Sequence, residues 1–133
     1  MALCLCLFAL GSQAQDKDAV VLIANPSVPH LDLATVQRLY TGRAVEVGGN
    51  AVVVVNAAPG SPLRERFMAT VLKQSDEQYI AYWTVRKHIG KGTPPVELKS
   101  SAEIIAFVLG MPGGVGYIAA SDLRPGMNVV LRP

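Results

Sequence analysis

The chain has 133 residues, of which 50% are hydrophobic and 17% are charged, and its net charge at neutral pH is +2. This composition is typical of one globular domain with one core, and it excludes an intrinsically disordered chain. The small net charge and the scattered basic residues, with neither a basic run nor an aromatic ladder, argue against a nucleic-acid-binding protein.

The first fifteen residues, MALCLCLFALGSQAQ, have the pattern of a secretory signal peptide. The apolar core runs from Ala2 to Leu10, which is too short to span a bilayer. Ser12 and Ala14 supply the small residues of a cleavage site, so we predict a signal peptide over residues 1–14. Because no basic residue precedes the apolar core, a buried N-terminal strand or helix stays open as the alternative.

Both cysteines, Cys4 and Cys6, lie within this segment. The mature chain would therefore contain no thiol, no disulfide and no cysteine metal site. His30 and His88 are far apart in sequence and have no metal-ligating neighbours, so we predict neither a metal site nor a cofactor. Because no other long apolar segment follows, we expect a periplasmic location without membrane insertion of the mature chain.

The remainder, residues 19–133, is predicted to form a single domain that begins with a strand and a helix. Residues 19–24, AVVLIA, form an apolar run that predicts the first strand. A helix is predicted over residues 32–40, with Asp32 as its N-cap and Gly42 as its C-terminal stop. A Gly-Gly-Asn turn over residues 48–50 then leads into the next strand.

The central strand is predicted over residues 51–55, a short β-branched run that favours burial on both faces. It ends at Asn56, and a turn follows in which Gly60 lets the backbone bend. Ser61 is a strong N-cap, and Pro62 occupies the first turn, where helices tolerate proline. The segment therefore predicts a strand that passes through a tight turn into a helix.

That helix is predicted over residues 61–72, with Leu63, Phe67 and Val71 on its buried face. Arg64 is expected to remain in solvent. The first turn of a helix presents backbone N–H groups and the positive end of a dipole, which suits an anion. This helix start is therefore the candidate ligand-binding element.

Two further helices are predicted from their start signals. Ser75 with Gln78, and Ser100 with Glu103, each have the spacing of a capping box. Tyr79 and Trp83 are four positions apart on the first of these helices, and this spacing favours packing of both aromatic side chains in the core. Helices are predicted over residues 75–86 and 100–109, and strands over residues 96–98, 115–119 and 129–131.

The alternation of strands and helices predicts an α/β domain with a mainly parallel central sheet and helices on both faces. Ligands bind to such sheets beyond the carboxyl ends of their strands. We therefore expect Asn25, the turn over residues 56–61 and the pair Gly113 and Gly114 to share one rim of the sheet.

Four segments carry a resemblance to a known family: VLIAN, LYTGRA, NAAPGSPLRERF and SSAEIIAFVLGMPGGVGYIAA. In this order they resemble one lobe of the phosphate-binding proteins of ABC transporters, which have the type 2 periplasmic binding fold. The likeness covers residues 20–123. It implies a solute receptor whose ligand, phosphate or another small oxyanion, is held between two lobes, with an ABC permease or another periplasmic protein as partner.

The resemblance also implies ligand-binding residues. Gly60 and Ser61 match the Gly-Ser of the family's Gly-Ser-Gly-Thr loop. Ser61 would donate its hydroxyl to the anion, and the amides of Leu63 and Arg64 would point at it. Asn56, at the end of the preceding strand, completes the predicted set.

Departures from the family pattern keep an alternative function open. Pro62 and Leu63 replace a glycine and a threonine of the family, and Asn56 and Ala57 stand where the family has an arginine. The alternative is a ligand-free protein-interaction module derived from one lobe of the fold, in which Ser61 only caps its helix. No catalytic triad or paired carboxylates emerge, so we do not expect an enzyme.

Overall fold

The computed structural model describes residues 16–133, and the predicted signal peptide lies outside these residues. Strands and α-helices alternate along most of the described chain. The strands are β1 (Val20–Ala24), β2 (Glu46–Val47), β3 (Asn50–Ala51), β4 (Val53–Ala57), β5 (Val96–Leu98), β6 (Gly114–Ala119) and β7 (Asn128–Leu131). The α-helices are α1 (Leu33–Tyr40), α2 (Pro62–Phe67), α3 (Asp76–His88) and α4 (Ser101–Gly110).

The central sheet has five strands in the order β5-β4-β6-β1-β7, and β2 and β3 form a separate hairpin. Strand β4 runs parallel to both β5 and β6. Strand β1 runs antiparallel to both of its neighbours, β6 and β7. Four of the five strands therefore point in one direction, and the predicted mainly parallel α/β sheet is confirmed, with β1 as its single reversed strand.

The reversal of β1 changes which residues meet at each end of the sheet. Ala24 pairs with Val115, and the Asn25 N–H donates to the Gly114 carbonyl at 2.8 Å. Asn25 therefore lies where β6 begins, at the end of the sheet opposite the turn that follows Asn56. The expected common rim is wrong. Gly113 and Gly114 lie with Asn25 at the opposite end from the turn over residues 56–61, because they stand where β6 begins. Asn25 was misplaced because an apolar strand gives no indication of its direction when it is buried on both faces.

Helices cover both faces of the sheet, as successive residues of β6 show. A Cβ placed on Gly116 would meet Ile104 of α4 at 2.6 Å, so this residue faces α4. The next residue, Tyr117, stacks on Phe67 of α2 with ring centroids 3.9 Å apart. Since adjacent residues of a strand point to opposite faces, α4 and α2 lie on opposite sides of the sheet.

Strand β4 begins two residues later than predicted and is only partly buried. Val53 is 43% exposed, whereas Val55, Asn56 and Ala57 are buried. The run of apolar residues predicted burial throughout, but the first residue of the strand remains partly exposed. Apolar composition alone does not reveal how far the covering layer reaches.

The predicted helix over residues 61–72 consists of two parts. The α-helix α2 begins with Pro62, is capped by the Ser61 side chain, and ends at Phe67. A π-helical turn then spans Met68–Leu72 and ends at Lys73, which has a left-handed backbone with φ of 57°. Such wide turns insert an extra residue into a helix and shift the positions that follow.

The capping box of α3 is confirmed, because Ser75 and Gln78 exchange both of its hydrogen bonds. Of the capping box predicted for α4, only the hydrogen bond to the Ser100 side chain is present. Ser100 accepts a hydrogen bond from the Glu103 N–H, but the Glu103 carboxylate accepts from the Lys99 N–H at 2.7 Å. None of the helices within residues 16–133 has the length and apolar character needed to cross a membrane.

Candidate ligand-binding site

The predicted ligand-binding residues lie between the end of β4 and the first turn of α2. Gly60 is exposed and has a left-handed backbone with φ of 83°, which only glycine adopts without strain. Ser61 and Leu63 are half-buried, whereas Asn56 and Arg64 are buried. The five residues therefore differ in how far a ligand can reach them.

Ser61 caps α2 as predicted, and both capacities of its hydroxyl are used within the protein. The hydroxyl accepts a hydrogen bond from the Arg64 N–H at 3.3 Å and donates to the Ala58 carbonyl at 2.8 Å. No acceptor for the Leu63 N–H is found among the described residues. Of the two amides expected to face an anion, only that of Leu63 is therefore available.

Asn56 belongs to a buried polar network. Its side-chain Nδ2 donates to the Tyr79 hydroxyl at 3.3 Å, and its Oδ1 accepts a short hydrogen bond from the Tyr117 hydroxyl. The Tyr117 oxygen in turn accepts from the Ala57 N–H at 2.9 Å. These bonds satisfy a polar side chain that would otherwise be costly to bury at the end of a strand.

The two tyrosines of this network are held neutral at physiological pH. Burial raises the pKa of Tyr79 to about 12, and burial raises the pKa of Tyr117 further. Both hydroxyls therefore keep their protons, and the Tyr79 hydroxyl donates its own to the Tyr40 carbonyl at 2.8 Å. The network connects the end of β4 to α3 and to the end of α1.

The expectation that Arg64 stays in solvent is wrong, because its side chain is only 3% exposed. Its Nε donates to Asp76 at 2.7 Å, and its Nη1 donates to Glu97 at 2.9 Å and to the Ala57 carbonyl at 3.1 Å. The guanidinium also lies 5.6 Å from the centre of the Tyr79 ring. One arginine thus joins α2, α3 and β5.

The error has a simple origin in the helical pattern. Leu63, Phe67 and Val71 are spaced four residues apart, and Arg64, Phe67 and Val71 are spaced three and then four apart, so both sets fit one face of a helix. The structure buries the second set and leaves Leu63 half-exposed. Arginine is seldom fully buried unless it is paired. The burial of Arg64 is therefore stable only because Asp76 and Glu97, which are distant in sequence, pair with it.

A cavity of about 210 Å³ lies beside Arg64, between the carboxyl end of β4, helix α3 and the segment that leads into β5. Its charged lining consists of Arg64, Lys87 and Glu97, and its aromatic wall consists of Tyr79 and Trp83. Both aromatic residues are buried, as predicted. The sequence reasoning did not single out Lys87 or Glu97, and no local pattern brings these residues next to a helix start.

The charge of Arg64 is largely compensated within the protein. Asp76 and Glu97 each offer a carboxylate to the same guanidinium, and a paired buried cation attracts a further anion less strongly than an unpaired one. Lys87 is the other cation that lines the cavity, whereas Leu63 does not line it. Residues 16–133 contain no group of three acidic, histidine or cysteine side chains that is suited to a metal ion.

No protein-family model matches the chain, and no curated protein sequence matches it. Solved structures do resemble it. An ABC-type phosphate transport receptor from Vibrio cholerae aligns with 90% of this chain and 51% of its own, with a TM-score of 0.65 and 18% identity. The chain has the fold of a single lobe of such receptors.

Two further structures support the same assignment of the fold. A structure from Clostridium perfringens, described as a phosphate ABC transporter substrate-binding protein with bound phosphate, covers 85% of this chain with a TM-score of 0.66 and 25% identity. PstS from Borrelia burgdorferi also covers 85%, with a TM-score of 0.61 and 16% identity. The chain spans 44% and 46% of these two proteins. The predicted resemblance to one lobe is therefore confirmed at the level of the fold.

Proposed function

We propose that the protein is a periplasmic solute-binding protein whose ligand is phosphate or another small oxyanion, and that an ABC permease is its partner. The observation that carries the proposal is the fold, which matches one lobe of phosphate receptors over 85–90% of this chain. One of these structures is described with phosphate bound, and it is also the most similar in sequence of the three.

The proposed anion site lies at the start of α2. The Leu63 N–H has no acceptor among the described residues, and the exposed Gly60 leaves the approach to it open. Ser61 contributes its hydroxyl only by exchanging its bond to Ala58 for one to the ligand. Arg64 and Asn56 act from behind this turn, as buried groups that hold it in place.

The lobe supplies one side of this site, so water competes for each hydrogen bond to the anion. We therefore expect weak binding by the lobe alone, with a dissociation constant on the order of millimolar. Binding without catalysis is also part of the proposal, since the structures that share the fold are described as receptors and binding proteins. The nearby carboxylates of Asp76 and Glu97 are engaged by Arg64.

A second candidate function is a protein-interaction module that has lost its ligand. The engagement of the Ser61 hydroxyl and the compensation of the Arg64 charge favour it, because both lower the attraction for an anion. In this case phosphate produces no heat of binding at any accessible concentration.

Titration calorimetry with phosphate, on variants of Ser61, tests the proposal. Ser61→Asp and Ser61→Asn both retain a good N-cap and have nearly the same size, but only the first adds a negative charge. A carboxylate within about 5 Å of the ligand costs several kcal/mol at an effective dielectric constant of about 20. We expect Ser61→Asp to weaken phosphate binding more than tenfold relative to Ser61→Asn.

Equal unfolding midpoints of the two variants would show that the helix cap is intact in both. Phosphate binding that is the same in both variants would remove the anion from the start of α2. An unmodified protein that gives no heat with phosphate or sulfate at millimolar concentration would favour the interaction module.

A further inference from the structure

A groove on another part of the surface has an unusual concentration of positive charge. It lies between the last turn of α1 and the segment that follows the π-helical turn, and its volume is about 420 Å³. Arg38, Arg43 and Lys73 line it, and we call it the basic groove. Among residues 16–133, no residue that lines the basic groove is acidic, and its other polar lining residues are neutral, namely Gln37, Thr41, Gln74 and Tyr82.

The positive charges of the basic groove have no salt-bridge partner within the described chain. The salt bridges found over residues 16–133 involve only Arg64 and Arg66. Asp32, at the opposite end of α1, has a pKa lowered mainly by the hydrogen bonds from Thr35 and only to a smaller extent by Arg38. This carboxylate does not line the groove, so it does not compensate the positive charge of the groove.

Two guanidinium groups lie close to the ring of Tyr82, which lines the basic groove. Arg43 lies 5.9 Å and Arg86 5.5 Å from the centre of the Tyr82 ring. Arg86 donates to the Gly42 carbonyl at 3.3 Å, and its buried Nε has no partner in the part of the chain that the structure describes. The dipole of α1 places a partial charge of only about −0.5 at its carboxyl end, which is far less than the positive charge of these cations.

The backbone along the basic groove indicates what kind of anion fits. The Thr41 N–H donates to Gln37, the Arg43 N–H donates to Arg38, and the Gln74 N–H donates to Met68. The groove therefore has no cradle of free amides of the kind that holds one small oxyanion. It offers separate cations on long exposed side chains, which suit several carboxylates spaced along a chain.

We propose that the basic groove docks an acidic segment of a protein partner. Carboxylates of the segment pair with Arg38, Arg43 and Lys73, while the Tyr82 ring gives its backbone an apolar surface. Charge complementarity of this kind mainly speeds association and selects the partner. Within residues 16–133, the groove shares no lining residue with the start of α2 or with the cavity beside Arg64, so the inference does not depend on oxyanion binding.

Fluorescence anisotropy with a fluorescein-labelled hexaglutamate peptide at low salt tests this proposal. The groove variant carries Arg38→Gln, Arg43→Gln and Lys73→Gln together. We expect it to bind the peptide about tenfold more weakly than the unmodified protein, because three exposed ion pairs are lost. The complex of the unmodified protein should also weaken steeply as salt is added.

A control variant separates the groove from net charge. It carries Lys17→Gln, Lys91→Gln and Arg124→Gln, three exposed positions outside the groove, and it has the same net charge as the groove variant. We expect it to bind hexaglutamate within about twofold of the unmodified protein. Circular dichroism and urea unfolding of both variants verify that they remain folded.

Three results would overturn the proposal. They are equal weakening in the two variants, no binding of hexaglutamate by the unmodified protein, and a groove that instead retains pyrophosphate or anionic lipid vesicles but not the peptide. Phosphate calorimetry on the groove variant distinguishes the two proposals, because its heat should match that of the unmodified protein whenever the site at α2 binds phosphate.

Discussion

Arg64 donates from Nε to Asp76 at 2.7 Å, and this ion pair joins the first turn of α2 to the first turn of α3. The Arg64 side chain is 3% exposed and that of Asp76 is 23% exposed, so water screens the pair weakly. Glu97 completes the cluster from β5 but is 43% exposed. The two carboxylates are therefore expected to contribute unequally to stability.

Removing the Asp76 charge should destabilise the protein more than removing that of Glu97. Asp76→Asn leaves the buried Arg64 undercompensated, and we expect a loss of about 2–3 kcal/mol in the free energy of unfolding. Glu97→Gln removes a more exposed partner and should cost about 1 kcal/mol or less. Urea unfolding measures both, and Arg66→Gln, which breaks only exposed pairs, is the control. Equal losses at the two carboxylates would refute this ranking.

Gly113 is predicted to tolerate no side chain. A Cβ there would lie 2.2 Å from the Ala51 carbonyl oxygen, and the backbone has φ of 77°. Gly113→Ala should therefore lower stability by at least about 2 kcal/mol. Gly110→Ala is the matched control, since a Cβ at the end of α4 meets no other described residue within 4 Å, and this substitution should be neutral or slightly stabilising. Similar unfolding midpoints for the two variants would contradict the close approach.

Stability should fall as the pH rises above about 10, the pKa of tyrosine in an unfolded chain. In the folded protein burial raises the pKa of Tyr79 to about 12, so between these values the folded state holds the proton that the unfolded state has lost. The stabilisation from neutral Tyr79 is complete below about pH 10 and is lost as the pH approaches 12. Urea unfolding between about pH 9 and pH 11 measures the decline.

Tyr79→Phe should show a shallower decline over the same range, because it removes one of the groups that titrates only after unfolding. Its stability at neutral pH should be lower by about 1 kcal/mol, since the hydroxyl bond to the Tyr40 carbonyl is lost. A variant whose pH dependence is as steep as that of the unmodified protein would exclude Tyr79 as a contributor.

Export with removal of residues 1–14 remains a prediction from the sequence. When the full chain is expressed in a bacterium with a periplasm, we expect the exported protein to begin at Gln15. Intact-mass measurement of the periplasmic fraction checks the cleavage site. Ala14→Leu places a large residue at the cleavage position, and its product should keep the leader. Recovery of the uncut chain from the cytoplasm in both cases would argue for the buried N-terminal strand or helix.

Local patterns predicted the elements that local physics controls. Ser61 and Ser75 are N-caps in the structure, because a cap needs only a side-chain oxygen and the amide three residues ahead of it. The order of strands and helices likewise predicted a mainly parallel α/β lobe, and the solved phosphate receptors share that fold. These features depend on residues that are close together in the chain.

The candidate site was less accessible to sequence reasoning, because its groups come from distant parts of the chain. Arg64 reaches Asp76 and Glu97, and Asn56 reaches Tyr79 and Tyr117. Whether a polar residue is buried depends on partners whose hydrogen bonds or charges compensate its lost hydration, and a helical pattern does not reveal these partners. The sequence did not predict the basic groove for the same reason, since the groove combines the end of α1 with the loop after the π-helical turn.

The sequence by itself determined where helices start, which residues are apolar enough to form the core, and which kind of lobe they build. Only the tertiary structure decided that β1 runs against the other strands and that Arg64 turns inward. Strand direction and charge burial are set by hydrogen bonds and ion pairs between residues far apart in sequence, and each becomes favourable only when the whole sheet and its covering helices are assembled.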